Sequence, residues 1–187
     1  MHRSTNQQEL EVALAALGGH QSLVALEAPG CRRLSALPAP AAGLAAQELD
    51  LSGCIGLRDL RGLSAFPALS RLSLSRCIGL EDLSPLQQLA ALRFLDISNC
   101  MGLRDLSPLA ACQELEALDV RGTLVADVMP LASCPKLSSV SLSRCSRLGD
   151  ISSLEGCPAL ALLDITGCCR LTVPPRLAER CNVRATA

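Results

Sequence analysis

The chain has 187 residues, enough for one domain with its own core and too few for two of ordinary size. Apolar residues make up 49% and charged residues 19%, which excludes a disordered chain, and a net charge of −1 argues against nucleic-acid binding through bulk positive charge. With no Trp, no Tyr and only Phe66 and Phe94, a core has to be built from Leu, Ala, Val, Ile and Cys.

Residues 1–25 read as an N-terminal cap. Ser4 or Thr5 suits the start of a helix that Gly18-Gly19 ends. Leu14, Leu17, Leu23 and Leu26 repeat the spacing found later at Leu106, Leu109, Leu115 and Leu118, which is half of a repeat. Glu9 and Glu11 stand where a secretory signal needs an apolar run, and they weaken a mitochondrial presequence. No apolar stretch approaches the roughly 18 residues that suggest a membrane span. Eleven Cys without a secretory signal suit a reducing compartment. The expectation is an intracellular, chiefly cytoplasmic, protein with free thiols and no membrane contact.

From Leu26 onward one unit recurs. Leu49-Asp-Leu-Ser-Gly-Cys54-Ile-Gly-Leu57-Arg-Asp59-Leu60 returns as Leu72-Ser-Leu-Ser-Arg-Cys77-Ile-Gly-Leu80-Glu-Asp82-Leu83 and again as Leu95-Asp-Ile-Ser-Asn-Cys100-Met-Gly-Leu103-Arg-Asp105-Leu106. Copies begin at residues 26, 49, 72, 95, 118, 140 and 163, a step of 23 with one step of 22. In L-x-L the two apolar residues point the same way on a short strand while the middle residue points outward. A single unit cannot bury its apolar face, but stacked units pair their strands in parallel and share one core. In the second half of each copy, Ser84-Pro85, Ser107-Pro108 and Met129-Pro130 hold the same place. Ser suits an N-cap and Pro the first helical position, so this half is expected to form a short helix or 3₁₀ turn on the convex side. Pro174-Pro175 breaks the register, and residues 174–187 read as a polar C-terminal cap or tail after seven repeats over 26–173.

This pattern resembles the leucine-rich-repeat family. The resemblance implies an α/β fold: a right-handed, horseshoe-shaped solenoid with a concave parallel β-sheet and short helical or 3₁₀ convex segments. Cys134-Pro-Lys-Leu137, Cys157-Pro-Ala-Leu160 and Cys77-Ile-Gly-Leu80-Glu-Asp82 look like the cysteine-containing subclass, with a shortened convex segment.

Two columns hold most of the cysteines. Cys31, Cys54, Cys77, Cys100, Cys145 and Cys168 follow the strands, with Thr123 filling the place in one copy. Cys112, Cys134 and Cys157 fall in the convex half, where Phe66 takes the place in the second copy. Metal sites want clustered ligands, whereas the strand-side ladder is spaced by 22 or 23 residues apart from the gap at Thr123, and His2 and His20 are the only histidines. No metal or other cofactor is expected. Stacked neighbours would lie near disulfide distance, but a reducing compartment opposes pairing. Small buried side chains lining the turn are the expectation. Cys169 is an off-ladder thiol. Asp59, Asp82, Asp105, Asp127 and Asp150 share a second register, where a carboxylate bonds local backbone N–H groups in a tight turn.

No nucleophile elbow, phosphate loop, zinc-protease or kinase motif is present, so no catalytic residue is assigned. Function is expected on the concave sheet, in the residues just before, within and just after each L-x-L. Phe94 is placed there between Arg71 and the pair Asp119 and Arg121, and an exposed aromatic beside Arg is a common binding anchor. The alternative is that Phe94 only packs on its neighbours. Candidate partner-binding residues are Arg71, Ser73, Phe94, Asp96, Ser98, Asp119 and Arg121. The expected function is a non-enzymatic protein-binding scaffold or small subunit of a larger assembly. The resemblance adds a substrate-recognition arm of a ubiquitin ligase, or a regulatory subunit of an enzyme such as a phosphatase. Nucleic acid is expected only within a larger ribonucleoprotein assembly.

Overall fold

The computed structural model describes residues 24–37 and 44–185, so the expected N-terminal helix and the first part of its half repeat, over residues 1–23, lie outside the described residues. Strands of three residues recur along the chain: β1 (Ala25–Glu27), β2 (Glu48–Asp50), β3 (Arg71–Ser73), β4 (Phe94–Asp96), β5 (Ala117–Asp119), β6 (Ser139–Ser141), β7 (Leu162–Asp164) and β8 (Asn182–Arg184). They form one parallel sheet in chain order. The register aligns the apolar centre of each strand with the next, Leu26 with Leu49, Leu72, Leu95, Leu118, Val140 and Leu163.

Both apolar residues of each L-x-L enter the core, as strand alternation demands: Leu95 and Ile97 are buried while Phe94 and Asp96 face the groove side. The return half of the units is a 3₁₀ turn at Arg61–Ala65, Ser84–Gln88, Ser107–Ala111, Met129–Ser133 and Ser152–Gly156. Five residues close the loop in a step of about 23, and a full α-helix would not fit. The core is one continuous stack of Leu, Val, Ile and Cys, with Phe66 fully buried in it.

Two details differ from the expectation. The serine of Ser-Pro is not the capping group: no side-chain cap bond forms at the 3₁₀ starts. The aspartate two residues earlier does that work. Oδ1 of Asp59, Asp82, Asp105, Asp127 and Asp150 accepts the N–H of Arg61, Ser84, Ser107, Met129 and Ser152 at 2.7–2.8 Å. The carboxylate is the stronger acceptor and already sits beside the unsatisfied N–H groups. The second difference is at the C-terminal end. After Pro174-Pro175 a short helix, α1 (Pro175–Arg180), buries Leu177 and turns the chain into β8, which adds an eighth strand with Val183 opposite Leu163. Arg180 ties that helix down by donating to the carbonyls of Leu154 and Glu155, both at 3.0 Å.

The thiols form two ladders. On the strand side, Sγ of Cys54, Cys77, Cys100, Cys145 and Cys168 donates to the carbonyl of Ala28, Leu51, Leu74, Val120 and Leu142 in the preceding repeat, at 3.0–3.3 Å. On the convex side, Cys112, Cys134, Cys157 and Cys181 do the same to Leu86, Leu109, Leu131 and Leu160. Each thiol therefore ties one repeat to its predecessor. Burial pushes the Cys54 and Cys112 thiols up to about 11, Cys100 and Cys134 up to about 12, and Cys77 higher still. Thr123 breaks the strand-side ladder, because its hydroxyl donates at 2.8 Å to Val120 of its own repeat.

Candidate functional site

The concave side of the sheet forms a groove of about 510 Å³ whose lining includes Glu27, Glu48, Asp50, Arg71, Ser73, Phe94, Asp96 and Asp119. Parallel pairing sets its geometry. Arg71 on β3 is in register with Phe94 on β4, and Ser73 with Asp96 and then Asp119. Five of the seven expected binding residues, Arg71, Ser73, Phe94, Asp96 and Asp119, thus meet in one groove.

Ser98 does not join them. It is 2% exposed, because the chain has already turned away from the sheet after the second apolar residue, and its N–H is held by Asp96 Oδ1 at 2.9 Å. Arg121, two residues past the end of β5, is exposed and pairs with Asp119 at 3.1 Å. Phe94 is half-buried, less open than alternation alone implies. The Arg71 guanidinium lies over its ring, 4.1 Å from the centroid. Glu48, on β2, holds the other side of Arg71 at 3.7 Å. Glu48 sits in the same outward column as Arg71 and Phe94, yet sequence reasoning did not single it out; the signal was its opposite charge one repeat before Arg71.

The strand aspartates also close local turns. Asp50, Asp96, Asp119 and Asp164 each accept the N–H two residues on, from Ser52, Ser98, Arg121 and Thr166. Asp119 is nevertheless pushed above the ordinary carboxylate range. Its burial outweighs the Arg121 N–H and charge, and Asp96 and Asp164 add repulsion. The groove is thus an acidic field in which Arg71 and Arg121 are each held by a carboxylate.

Among the described residues, no group of three or more His, Cys, Asp or Glu is placed to hold a metal ion, and no helix is long and apolar enough to cross a membrane. The groove offers charge, hydroxyls and one aromatic ring, a set suited to holding a polypeptide surface.

No family model matches the chain, and no curated protein matches it. Solved structures do. Internalin C2 from Listeria monocytogenes superposes with a TM-score of 0.73 at 21% identity, over 98% of this chain and 76% of that one. An internalin from the same organism, inlF, gives 0.67 at 23% identity, over 96% of this chain and 56% of that one. The TLR13–ssRNA13 complex gives 0.53 at 20% identity, over 66% of this chain and 18% of that one. All three are leucine-rich-repeat proteins. With its in-register parallel sheet backed by 3₁₀ turns, this chain has the leucine-rich-repeat solenoid fold.

Proposed function

We propose that this protein is a non-enzymatic scaffold that binds a protein partner through its concave groove, centred on Phe94. One observation carries the reading. Arg71 is stacked on Phe94 and paired with Glu48, which gives a preorganised aromatic and charged centre in an otherwise acidic, hydroxyl-rich groove. Asp50, Asp96 and Asp119 around it favour a partner surface bearing Lys or Arg. The same acids repel a phosphate backbone, so we do not carry over to this groove the single-stranded RNA named with one structural neighbour.

The free thiols support an intracellular setting, and the two thiol ladders support a cysteine-type repeat. The test is affinity capture followed by mass spectrometry with the wild-type chain and with Phe94→Ala and Arg71→Ala. Partners retained by the wild type and lost by both variants are expected. An unchanged partner set in both variants moves the interface off the groove. Capture of a ligase adaptor or a phosphatase subunit through these residues would specify the assembly.

A further inference from the structure

A second surface lies on the edge of the solenoid where the chain leaves each strand for the convex side. Ile55, Ile78 and Met101 follow the ladder cysteines in three consecutive repeats and are 40%, 49% and 60% exposed. The sheet register stacks these positions in one line. Each is followed by a glycine packed against the preceding loop. A Cβ at Gly56, Gly79 or Gly102 would stand 2.7, 3.0 or 2.6 Å from the carbonyl oxygen of Arg32, Ile55 or Leu80. The loops are therefore drawn tightly together, and the three apolar side chains are held as a fixed ridge.

Arginines flank the ridge. Arg58 and Arg104 follow Ile55 and Met101 by three residues, Arg76 precedes Ile78 by two, all three are exposed, and the Arg58 stem reaches Gly79 beside Ile78. None takes part in the five ion pairs among the described residues. Arg32 and Arg33 extend the basic character into the first repeat. Glu81 is the exception in the Arg58 and Arg104 column. The neighbouring Asp82 and Asp105 are occupied by the N–H groups of Ser84 and Ser107. Arg76 has φ 61, where the equivalent Gly53 and Gly122 have 71 and 68. A side chain is thus kept at a place whose backbone favours glycine.

We propose that this edge docks an amphipathic helix of a protein partner, with apolar residues in one stripe and acidic residues on its flanks. The rungs of the ridge are about 4.8 Å apart, as parallel strands are, and a helix presents successive apolar turns about every 5.4 Å. Over three rungs the two spacings drift by only about 1 Å, whereas alternate residues of an extended strand, about 6.6 Å apart, fall out of step. The arginines beside the ridge complement carboxylates flanking the helical stripe. A nucleic-acid backbone would satisfy the arginines and leave the apolar ridge in water. A membrane surface would call for a broader apolar face than one line of three side chains.

The probe is a designed peptide of about four helical turns with Leu at i, i+4, i+7 and i+11 and Glu on both flanks. Its controls are the same peptide with Lys for Glu, an oligonucleotide of single-stranded RNA, and vesicles of phosphatidylcholine containing phosphatidylserine. Methyl NMR of the full chain should show shifts at Ile55, Ile78 and Met101 with the acidic peptide alone. Ile78→Glu should weaken that binding about tenfold or more, and Arg76→Gly, which suits the local backbone, by severalfold. Phe94→Ala should leave it unchanged, which separates this edge from the concave groove. Absence of methyl shifts at millimolar peptide, equal binding of the Lys peptide, or shifts produced instead by the vesicles or the oligonucleotide would each overturn the proposal. A circular-dichroism melt of Ile78→Glu guards against loss of fold.

Discussion

The inner and outer columns of this solenoid repeat with the same period and behave in opposite ways. Inside, the column Leu49, Leu72, Leu95 and Leu118 holds one residue type, and the ladder Cys54, Cys77 and Cys100 another. Outside, the column beside it reads Glu48, Arg71, Phe94 and Ala117, four chemistries in four rungs. The backbone treats all rungs alike, because each strand pairs in the same register. Uniformity is therefore demanded only where side chains pack against their own copies. The outer columns are left to vary, and their variation distinguishes one part of the surface from another.

The harshest way to break the comparison is to remove an inner rung. Leu95→Ala should destabilise the fold by about 2–5 kcal/mol, because a residue 3% exposed leaves a cavity between two neighbouring rungs. Denaturant unfolding measures it, and a loss below about 1 kcal/mol would mean that the stack collapses around the gap.

A milder test lies in the ladder. The carbonyl of Leu51 stands ready to receive a donor from position 77, at 3.3 Å from the present thiol. Cys77→Ser retains a donor for that acceptor, and its cost is expected to stay near 1 kcal/mol. Cys77→Ala removes the donor and the sulfur together and should cost about 2 kcal/mol. The reverse order would show that the hydroxyl cannot reach Leu51 O. In the intact protein, a thiol reagent should react quickly with exposed Cys169 and slowly with Cys77, whose thiolate is disfavoured by burial.

On the outer side, Phe94→Ala should cost about 2 kcal/mol or more of partner affinity and about 1 kcal/mol of stability. The stability term is not zero, because the ring is half-buried under Arg71. Binding and melting measured on the same variant separate the two quantities. A stability loss comparable to that of Leu95→Ala would place Phe94 with the inner columns.

The smallest effects compare two aspartates that make the same local bond. The Ser107 side chain and N–H hold the Asp105 carboxyl below its ordinary range. Its contribution to stability is present above the unfolded-state value near about 3.9 and is lost as pH falls through the lower folded value. Asp119 has the opposite sign. Its folded value is raised, so lowering the pH through that value favours the folded state. Asp119→Asn keeps an Oδ1 acceptor for the Arg121 N–H and removes the charge. It should melt at or slightly above wild type at pH 7, by under about 3 °C, with the advantage disappearing below about pH 4. Asp105→Asn should lower the melting temperature at pH 7 and match wild type in acid. The same pH response in both variants would refute the opposed signs.

Much of the fold was legible in the sequence because a 23-residue step with L-x-L leaves few ways to bury the apolar face. The eighth strand was not, because Asn182-Val183-Arg184 has one apolar residue and follows Leu163 by 20 residues. It pairs because α1 delivers it to the open edge of β7. The groove followed from alternation, but the position of Ser98 did not, since alternation stops where the turn begins. Nor did the shielding of Phe94, which depends on a side chain from the neighbouring strand. The exposed Ile55, Ile78 and Met101 were hidden by their own chemistry: apolar residues beside a buried Cys read as core, and only the turn shows that they face out.

The missing rung at Thr123 has a mechanical consequence. Every other junction from the first repeat to the seventh is laced on the strand side by a thiol reaching back to the preceding carbonyl. Between the fourth and fifth repeats that strand-side stitch is absent, and the crossing side-chain bonds lie elsewhere, from Cys134 to Leu109, Gln113 to Ser133, Lys136 to Glu114 and Ser138 to Glu116. The junctions on either side of it, third to fourth and fifth to sixth, carry a thiol on both sides, so the spring opens more readily at this turn than at its two neighbours. Amide exchange should be faster at Ile97 and Asn99, whose N–H groups cross this junction, than at Leu74 and Arg76 one repeat earlier, and Thr123→Cys should slow it. Phe94 and Asp119 lie on opposite sides of the compliant turn, so flexing there would widen or narrow the groove at its centre while the strands on either side keep their pairing.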